Sequence, residues 1–106
     1  PTLLLGCLVA DGLNDYDDDR RQRAEWGLAT HSFGAALQNI LLAASARGLA
    51  AYWISAPLYA PEAVRTALDL DDAWHPQAFV ALGRPTDDYQ PFDRPELELS
   101  QHFVRR

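Results

Sequence analysis

The residues that could do chemistry in this chain are an acidic run, three scattered histidines and one cysteine. The acidic run over residues 15–19 offers oxygen ligands for Mg²⁺ or Ca²⁺. It lacks the glycine and distal glutamate of a calcium loop, which favours a solvated loop at a helix start. His31, His75 and His102 are too dispersed for a metal-ligand pattern. Cys7 lies in an apolar run, which favours a small buried hydrophobe over a reactive thiol.

Nucleophilic catalysis finds no support in the sequence either. Ser32 and Ser55 have no histidine and acid at a hydrolase spacing, and no G-x-S-x-G turn is present. A glycine-rich phosphate loop and a paired acid–base dyad are also absent from the sequence. The side chains alone therefore identify no catalytic residue.

Composition narrows the class of protein. The 106 residues, 48% of them hydrophobic, suit one small domain or part of one. A net charge of −6 argues against general nucleic-acid binding. No apolar run approaches the length of a membrane span, and the single cysteine fits a reducing cytoplasm. The chain has no Met and passes from Pro1 directly into an apolar run, which predicts a cut through a longer polypeptide.

Hydrophobic periodicity predicts alternating strands and helices. A first strand is expected over residues 3–10, a long helix from Arg20 to a stop at Gly48, and a second strand over residues 49–55. Pro61 begins a short helix over residues 62–68, and a third strand follows over residues 78–82, ended by Gly83. Small residues in the middle of the long helix allow another helix to approach closely, and ordinary tight core packing and a subunit interface explain them equally well: Gly34, Ala35 and Ala36.

These elements predict an α/β (α+β) fold in which a central long helix packs on a small mixed sheet. Residues 83–106 are rich in Pro and charge, and they read as a C-terminal arm that packs on something else through Leu97, Leu99 and Phe103.

Several stretches in order and at matching spacing resemble the nitroreductase family. They are residues 16–25, 35–44, 47–49, 53–58, 68–70, 74–77 and 81–85, with Val64 between them. The likeness covers residues 3–85, and within the family it is closest to the C-terminal flavin domain of coenzyme F-420 gamma-glutamyl ligases.

The resemblance implies that residues 1–106 are the C-terminal portion of one FMN-binding domain. It also implies a homodimer, with FMN at the subunit interface, the long helix at the dimer core and the arm wrapped around the partner. Flavin ring contacts map onto Trp53, Ile54, Ser55 and Ala56. The flavin phosphate contact maps onto Arg94, with Arg84 a weaker candidate. The substrate is then a small molecule, with NAD(P)H or a deazaflavin as a reaction partner.

Two departures from the family pattern keep other functions open. Residues 48–51 read Gly-Leu-Ala-Ala where the family commonly has Gly-Leu-Gly-Ser or Gly-Leu-Gly-Thr. The arginine-rich phosphate motif of the first half of the family domain is absent from these residues. A non-catalytic dimerisation or binding module, truncated from the family, is therefore one alternative.

The leading expectation is an FMN-dependent oxidoreductase acting in coenzyme F-420 biosynthesis. The ligase domain of that group is absent here, so no glutamate ligation is expected. A second alternative is a general NAD(P)H nitro- or quinone reductase. A third is a flavin-destroying synthase that forms a benzimidazole, which residues 92–98 somewhat resemble.

Overall fold

Three β-strands form one sheet, in the order β1-β3-β2. The strands are β1 (Thr2–Val9), β2 (Ala50–Ile54) and β3 (Trp74–Gly83). The computed structural model describes residues 1–90 and 93–104. Both pairings with β3 are antiparallel.

The mixed α/β class is confirmed, but the expectation of a mixed sheet is wrong. An alternating strand–helix pattern favours parallel neighbours. Here β1 and β2 do share a direction, because each runs antiparallel to β3. Since β3 lies between them, no parallel pair forms among the described residues.

The long helix α1 (Asp19–Ser45) begins and ends close to the predicted positions. Asp18 precedes it, and its carboxylate accepts a hydrogen bond from the Arg21 backbone N–H, as an N-cap residue does. The chain leaves the helix through Gly48, whose φ of 69° lies in the left-handed region that favours glycine. Local capping signals therefore set both ends of α1.

One face of the sheet packs against α1. Leu37 of α1 is buried with Ala78 and Val80 of β3, and Phe33 and Leu41 pack beside them. Only Leu37 and Ala44 are buried along the 27 residues of α1. Most of this helix therefore has no cover from the described part of its own chain.

The short helix α2 (Pro61–Leu68) lies on the other face of the sheet. Phe79 alternates with the buried Ala78 and Val80, so it points away from α1. Together with Leu3 and Leu5 it lines an open apolar cavity of about 380 Å³ against α2. The described elements thus form three layers, α1, sheet and α2.

Strand β3 is longer than the sequence pattern predicts. We expected it over residues 78–82 with Trp74, His75 and Pro76 as a lead-in loop, but the strand already begins at Trp74. Pro76 pairs with Cys7 where the β1 register shifts between Gly6 and Cys7. A bulge accommodates proline in a strand, because ladder hydrogen bonding is interrupted there.

After Gly83 the described residues contain no further helix or strand except a 3₁₀ turn over Leu99–Gln101. Every described residue from Arg84 to Val104 is exposed. Leu97, Leu99 and Phe103, predicted as contact points, are among the exposed apolar side chains. Four residues of the predicted arm, at positions 91, 92, 105 and 106, lie outside the described residues. In the described part of the chain, neither helix has the length and hydropathy that a membrane span needs.

Candidate functional site

The four residues predicted to contact a flavin ring form the end of β2 and the turn after it. Trp53 and Ile54 are the last two residues of β2, Ser55 follows, and Ala56 begins a 3₁₀ turn over Ala56–Leu58. Trp53 is 37% exposed, Ile54 is half-buried, and Ser55 and Ala56 are exposed. The turn is therefore open to solvent and is not sealed inside the chain.

Backbone hydrogen bonds hold the turn through its carbonyl groups. The Leu58 N–H donates to the Ser55 carbonyl at 3.1 Å, and the Tyr59 N–H donates to the Ala56 carbonyl at 3.0 Å. Pro57 is fully buried and anchors the turn. Outside the strand ladder, the N–H groups of Ser55 and Ala56 have no acceptor among the described residues. Both residues are exposed, so these N–H groups are the candidate donors of the turn.

Trp53 connects this turn to α1. It pairs with Val80 on β3, on the sheet face that α1 covers. A Cβ atom added to Gly34 would lie 3.9 Å from Cη2 of the Trp53 ring. Of the two explanations open for the small residues near Gly34, packing within the chain accounts for Gly34, because a side chain of the same chain lies beside it. The subunit interface stays a prediction.

Arg94 lines a different part of the molecule from the turn. It borders an open cavity of about 770 Å³ that also contacts Ser45 near the end of α1, Tyr52 and Tyr89. The described lining residues of this cavity include no acidic side chain. The cavity lies beside the start of β2, whereas the turn follows the end of β2. The structure therefore does not bring Arg94 and the turn into one cavity.

Arg84 is exposed directly after β3, and it does not line the cavity that Arg94 borders. Of the two arginines predicted as phosphate contacts, only Arg94 lies in a cavity with aromatic side chains beside it.

The acidic run has structural contacts. Asp18 caps α1, and the backbone N–H and then the side chain of Arg21 hold the pKa of its carboxyl below the usual value. Asp19 pairs with Arg23 at 4.0 Å. Among the described residues, no group of three or more His, Cys, Asp or Glu side chains is arranged to bind a metal ion.

The remaining candidates are spread over the fold. His75 is half-buried with its ring edge-on to Trp26 at 4.9 Å, whereas His31 and His102 are exposed. Cys7 is half-buried, and burial raises the pKa of its thiol, which keeps it protonated and unreactive at neutral pH.

The decisive observation comes from comparison with known families. Residues 2–84 match the sequence model of the nitroreductase family. The chain belongs to this family. The match spans β1 to the end of β3, so this nitroreductase-family chain carries the Trp53 turn inside the matched region. Arg94 lies beyond it.

The chain therefore belongs to a group of flavin-dependent oxidoreductases. In such enzymes the flavin performs the redox step, and the protein supplies binding, orientation and electrostatics. Sequence reasoning found the turn through the resemblance. It missed the Gly34–Trp53 contact and the tyrosines beside Arg94, because residues far apart in sequence meet there and no local pattern records the meeting.

Proposed function

We propose that this nitroreductase-family chain binds FMN and acts as an FMN-dependent oxidoreductase in deazaflavin coenzyme F-420 biosynthesis. The observation that carries the proposal is the exposed turn at Ser55 and Ala56, whose backbone N–H groups donate to no acceptor outside the strand ladder among the described residues. The resemblance of the sequence to the flavin domain of coenzyme F-420 gamma-glutamyl ligases supports the biosynthetic role.

The donor chemistry of the turn fits the edge of a flavin ring. In this assignment the Ser55 and Ala56 N–H groups donate to the N5/O4 edge. Fixed donors at that edge stabilise negative charge that develops on the reduced ring. The Trp53 ring lies beside Gly34 of α1, so in this assignment it supports the turn and does not stack on the flavin ring. When bound, FMN supplies the hydride or electron chemistry.

Arg94 fits the other end of the cofactor. Its guanidinium borders a cavity whose described lining residues include no acidic side chain, on a chain whose net charge is −6. A guanidinium binds phosphate through charge-assisted hydrogen bonds. Since the turn and Arg94 lie at opposite ends of β2, we assign them to the ring edge and the phosphate of one elongated FMN.

The exposed surface supports a homodimer. The chain exposes 8894 Å², whereas a compact monomer of 11.8 kDa exposes about 5,900 Å². The excess is well above the ~800 Å² that a partner buries in a standard interface. The radius of gyration is 17.5 Å, against about 13 Å for a compact chain of this length.

The unpartnered apolar side chains indicate where a second copy packs. Leu28 on α1 is 63% exposed and Phe103 on the arm is 71% exposed, so the described part of the chain leaves most of both side chains uncovered. We propose that α1 forms the dimer core and that the arm, residues 83–106, packs on the partner. A small-molecule substrate would then reach the flavin at the exposed turn. Its reaction partner, NAD(P)H or a deazaflavin, would reach the flavin at the same place.

A backbone substitution tests the ring-edge assignment. Ser55→Pro removes the N–H, and the φ of −86° at Ser55 is close to the range of proline. We expect Ser55→Pro to weaken FMN binding about ten-fold or more, because a hydrogen bond to a charged ring is lost. Ser55→Ala keeps the N–H and is the matched control. Equal FMN affinity in both variants would contradict the assignment.

Turnover assays separate the other activities. Steady NAD(P)H oxidation with nitroaromatics or quinones, without reduction of a dehydro precursor of the deazaflavin coenzyme, indicates a general reductase. Oxygen-dependent loss of FMN with a benzimidazole product indicates the synthase. A folded chain that takes up no FMN indicates a non-catalytic module.

A further inference from the structure

We propose that Gly34 and Trp53 are positioning residues that tie the flavin-binding turn to α1. The inference rests on the proposed function, because it concerns how the turn at Ser55 and Ala56 is held for FMN. Neither residue touches the cofactor in this account; both act through the backbone of the turn.

The contact joins two elements that are far apart in sequence. A Cβ at Gly34 would lie 3.9 Å from Cη2 of Trp53, the nearest atom of the described residues apart from the backbone of α1 itself. In the sheet Trp53 pairs with Val80, which is almost completely buried. The side chain of Trp53, 37% exposed, therefore lies on the sheet face that α1 covers and reaches Gly34 with the edge of its six-membered ring.

The space above Gly34 is limited. A methyl group at 3.9 Å makes an ordinary van der Waals contact, so alanine fits at position 34. A longer side chain directed at Cη2 would extend beyond Cβ into the volume that the Trp53 ring occupies. Glycine or alanine at position 34 therefore leaves room for this position of the Trp53 ring.

Displacement of Trp53 reaches the turn directly. Ser55 lies two residues further along the chain, and no side-chain hydrogen bond caps the 3₁₀ turn there. The backbone bonds from Leu58 and Tyr59 stay within the turn, and they do not fix it to α1. Trp53 and the buried Pro57 are the fixed points on either side of the two N–H donors.

Gly27 supplies a matched control on the same helix. It also lies within α1, but a Cβ at Gly27 meets no heavy atom within 4 Å. Gly27→Leu and Gly34→Leu thus each replace a helix-weakening glycine of α1 by the same side chain. They differ in whether the new side chain meets Trp53.

The test measures FMN affinity and the indole N–H signal of Trp53 in ¹⁵N-tryptophan-labelled protein, at matched oligomeric state. We expect Gly34→Leu to shift the Trp53 signal and to raise the FMN Kd roughly ten-fold or more. Gly34→Ala and Gly27→Leu should keep both near the wild-type values.

Two results would overturn the inference. One is an unshifted Trp53 signal in Gly34→Leu. The other is a shifted Trp53 signal in Gly34→Leu together with an FMN Kd equal to that of Gly27→Leu. A wild-type chain that binds no FMN contradicts the proposed function instead. In that case the indole signal still decides whether the contact between Gly34 and Trp53 exists.

Discussion

Gly6 on β1 offers the sharpest test of how the sheet packs on α1. A Cβ atom at Gly6 would lie 2.5 Å from Cζ and 2.9 Å from Cε2 of Phe33, a residue of α1. Gly6 pairs with Ala78, which is part of the buried cluster. Gly6→Ala therefore places a methyl group inside the space of an aromatic ring that bridges helix and sheet.

The magnitude follows from the distance. Carbon atoms pack favourably at about 3.5–4.0 Å, so the Phe33 ring must retreat by roughly 1 Å. Such overpacking costs typically about 1–3 kcal/mol. Replacing glycine by alanine restricts the unfolded chain and returns about 0.4–1 kcal/mol. We expect a net loss of about 1–2 kcal/mol, which lowers the melting temperature of a domain of this size by roughly 5–15 °C.

Thermal and urea unfolding followed by circular dichroism measure this change, at one fixed protein concentration. Gly83→Ala is the matched control, because Gly83 also lies in a strand and a Cβ there meets nothing within 4 Å. Adding Phe33→Leu to Gly6→Ala should restore part of the stability. If Gly6→Ala is as stable as Gly83→Ala, the described packing of Phe33 against β1 is refuted.

Three further predictions concern the helix and the cofactor. Asp18→Ala should lower the melting temperature at neutral pH. The pKa of the Asp18 carboxyl is lowered in the folded state. The stability that its charge contributes is therefore present above the unfolded pKa and is lost as the pH falls through the folded pKa. A difference in melting temperature between wild type and the uncharged variant Asp18→Asn that persists at acidic pH would oppose this. Gly27→Ala should raise stability by about 1 kcal/mol, because alanine favours a helix interior; a lower melting temperature would indicate that Gly27 is needed for packing. Arg94→Ala should weaken FMN binding roughly ten-fold or more while riboflavin binding stays unchanged. Arg84→Ala is its control, and an equal loss for both ligands would contradict a phosphate contact.

The sequence predicted the helices well because their ends depend on local chemistry. Asp18 and Gly48 bracket α1, and Pro61 begins α2 as the first-turn preference of proline indicates. These capping patterns involve only residues a few positions apart, so the sequence alone contains them. The strand over residues 3–10 was equally predictable, because an uninterrupted apolar run between turn residues favours a strand.

The sheet was harder to predict because strand pairing joins distant residues. The extension of β3 through Pro76 includes an extra residue, Gln77, which is recognised only from the pairing with Gly6 and Cys7, some seventy positions earlier. The position of β3 between β1 and β2 likewise has no signal in either strand alone. Local patterns therefore identified the elements but not their arrangement.

The candidate site likewise combines residues that the sequence identifies with contacts that depend on the arrangement of the elements. The resemblance to the family located Trp53 and Ser55, and residues 2–84 match the family. The separation of Arg94 from the turn, and the contact between Trp53 and Gly34, depend on how β2 lies against α1. The assignment of these residues to flavin stays a prediction until binding is measured.

The most direct test of the flavoprotein account is the absorbance spectrum of the purified chain after incubation with FMN and removal of the free cofactor, recorded across a size-exclusion peak of measured mass. We predict flavin absorbance that co-elutes with a dimer, and FMN as the species released on denaturation. A folded chain that elutes without flavin absorbance would contradict the account.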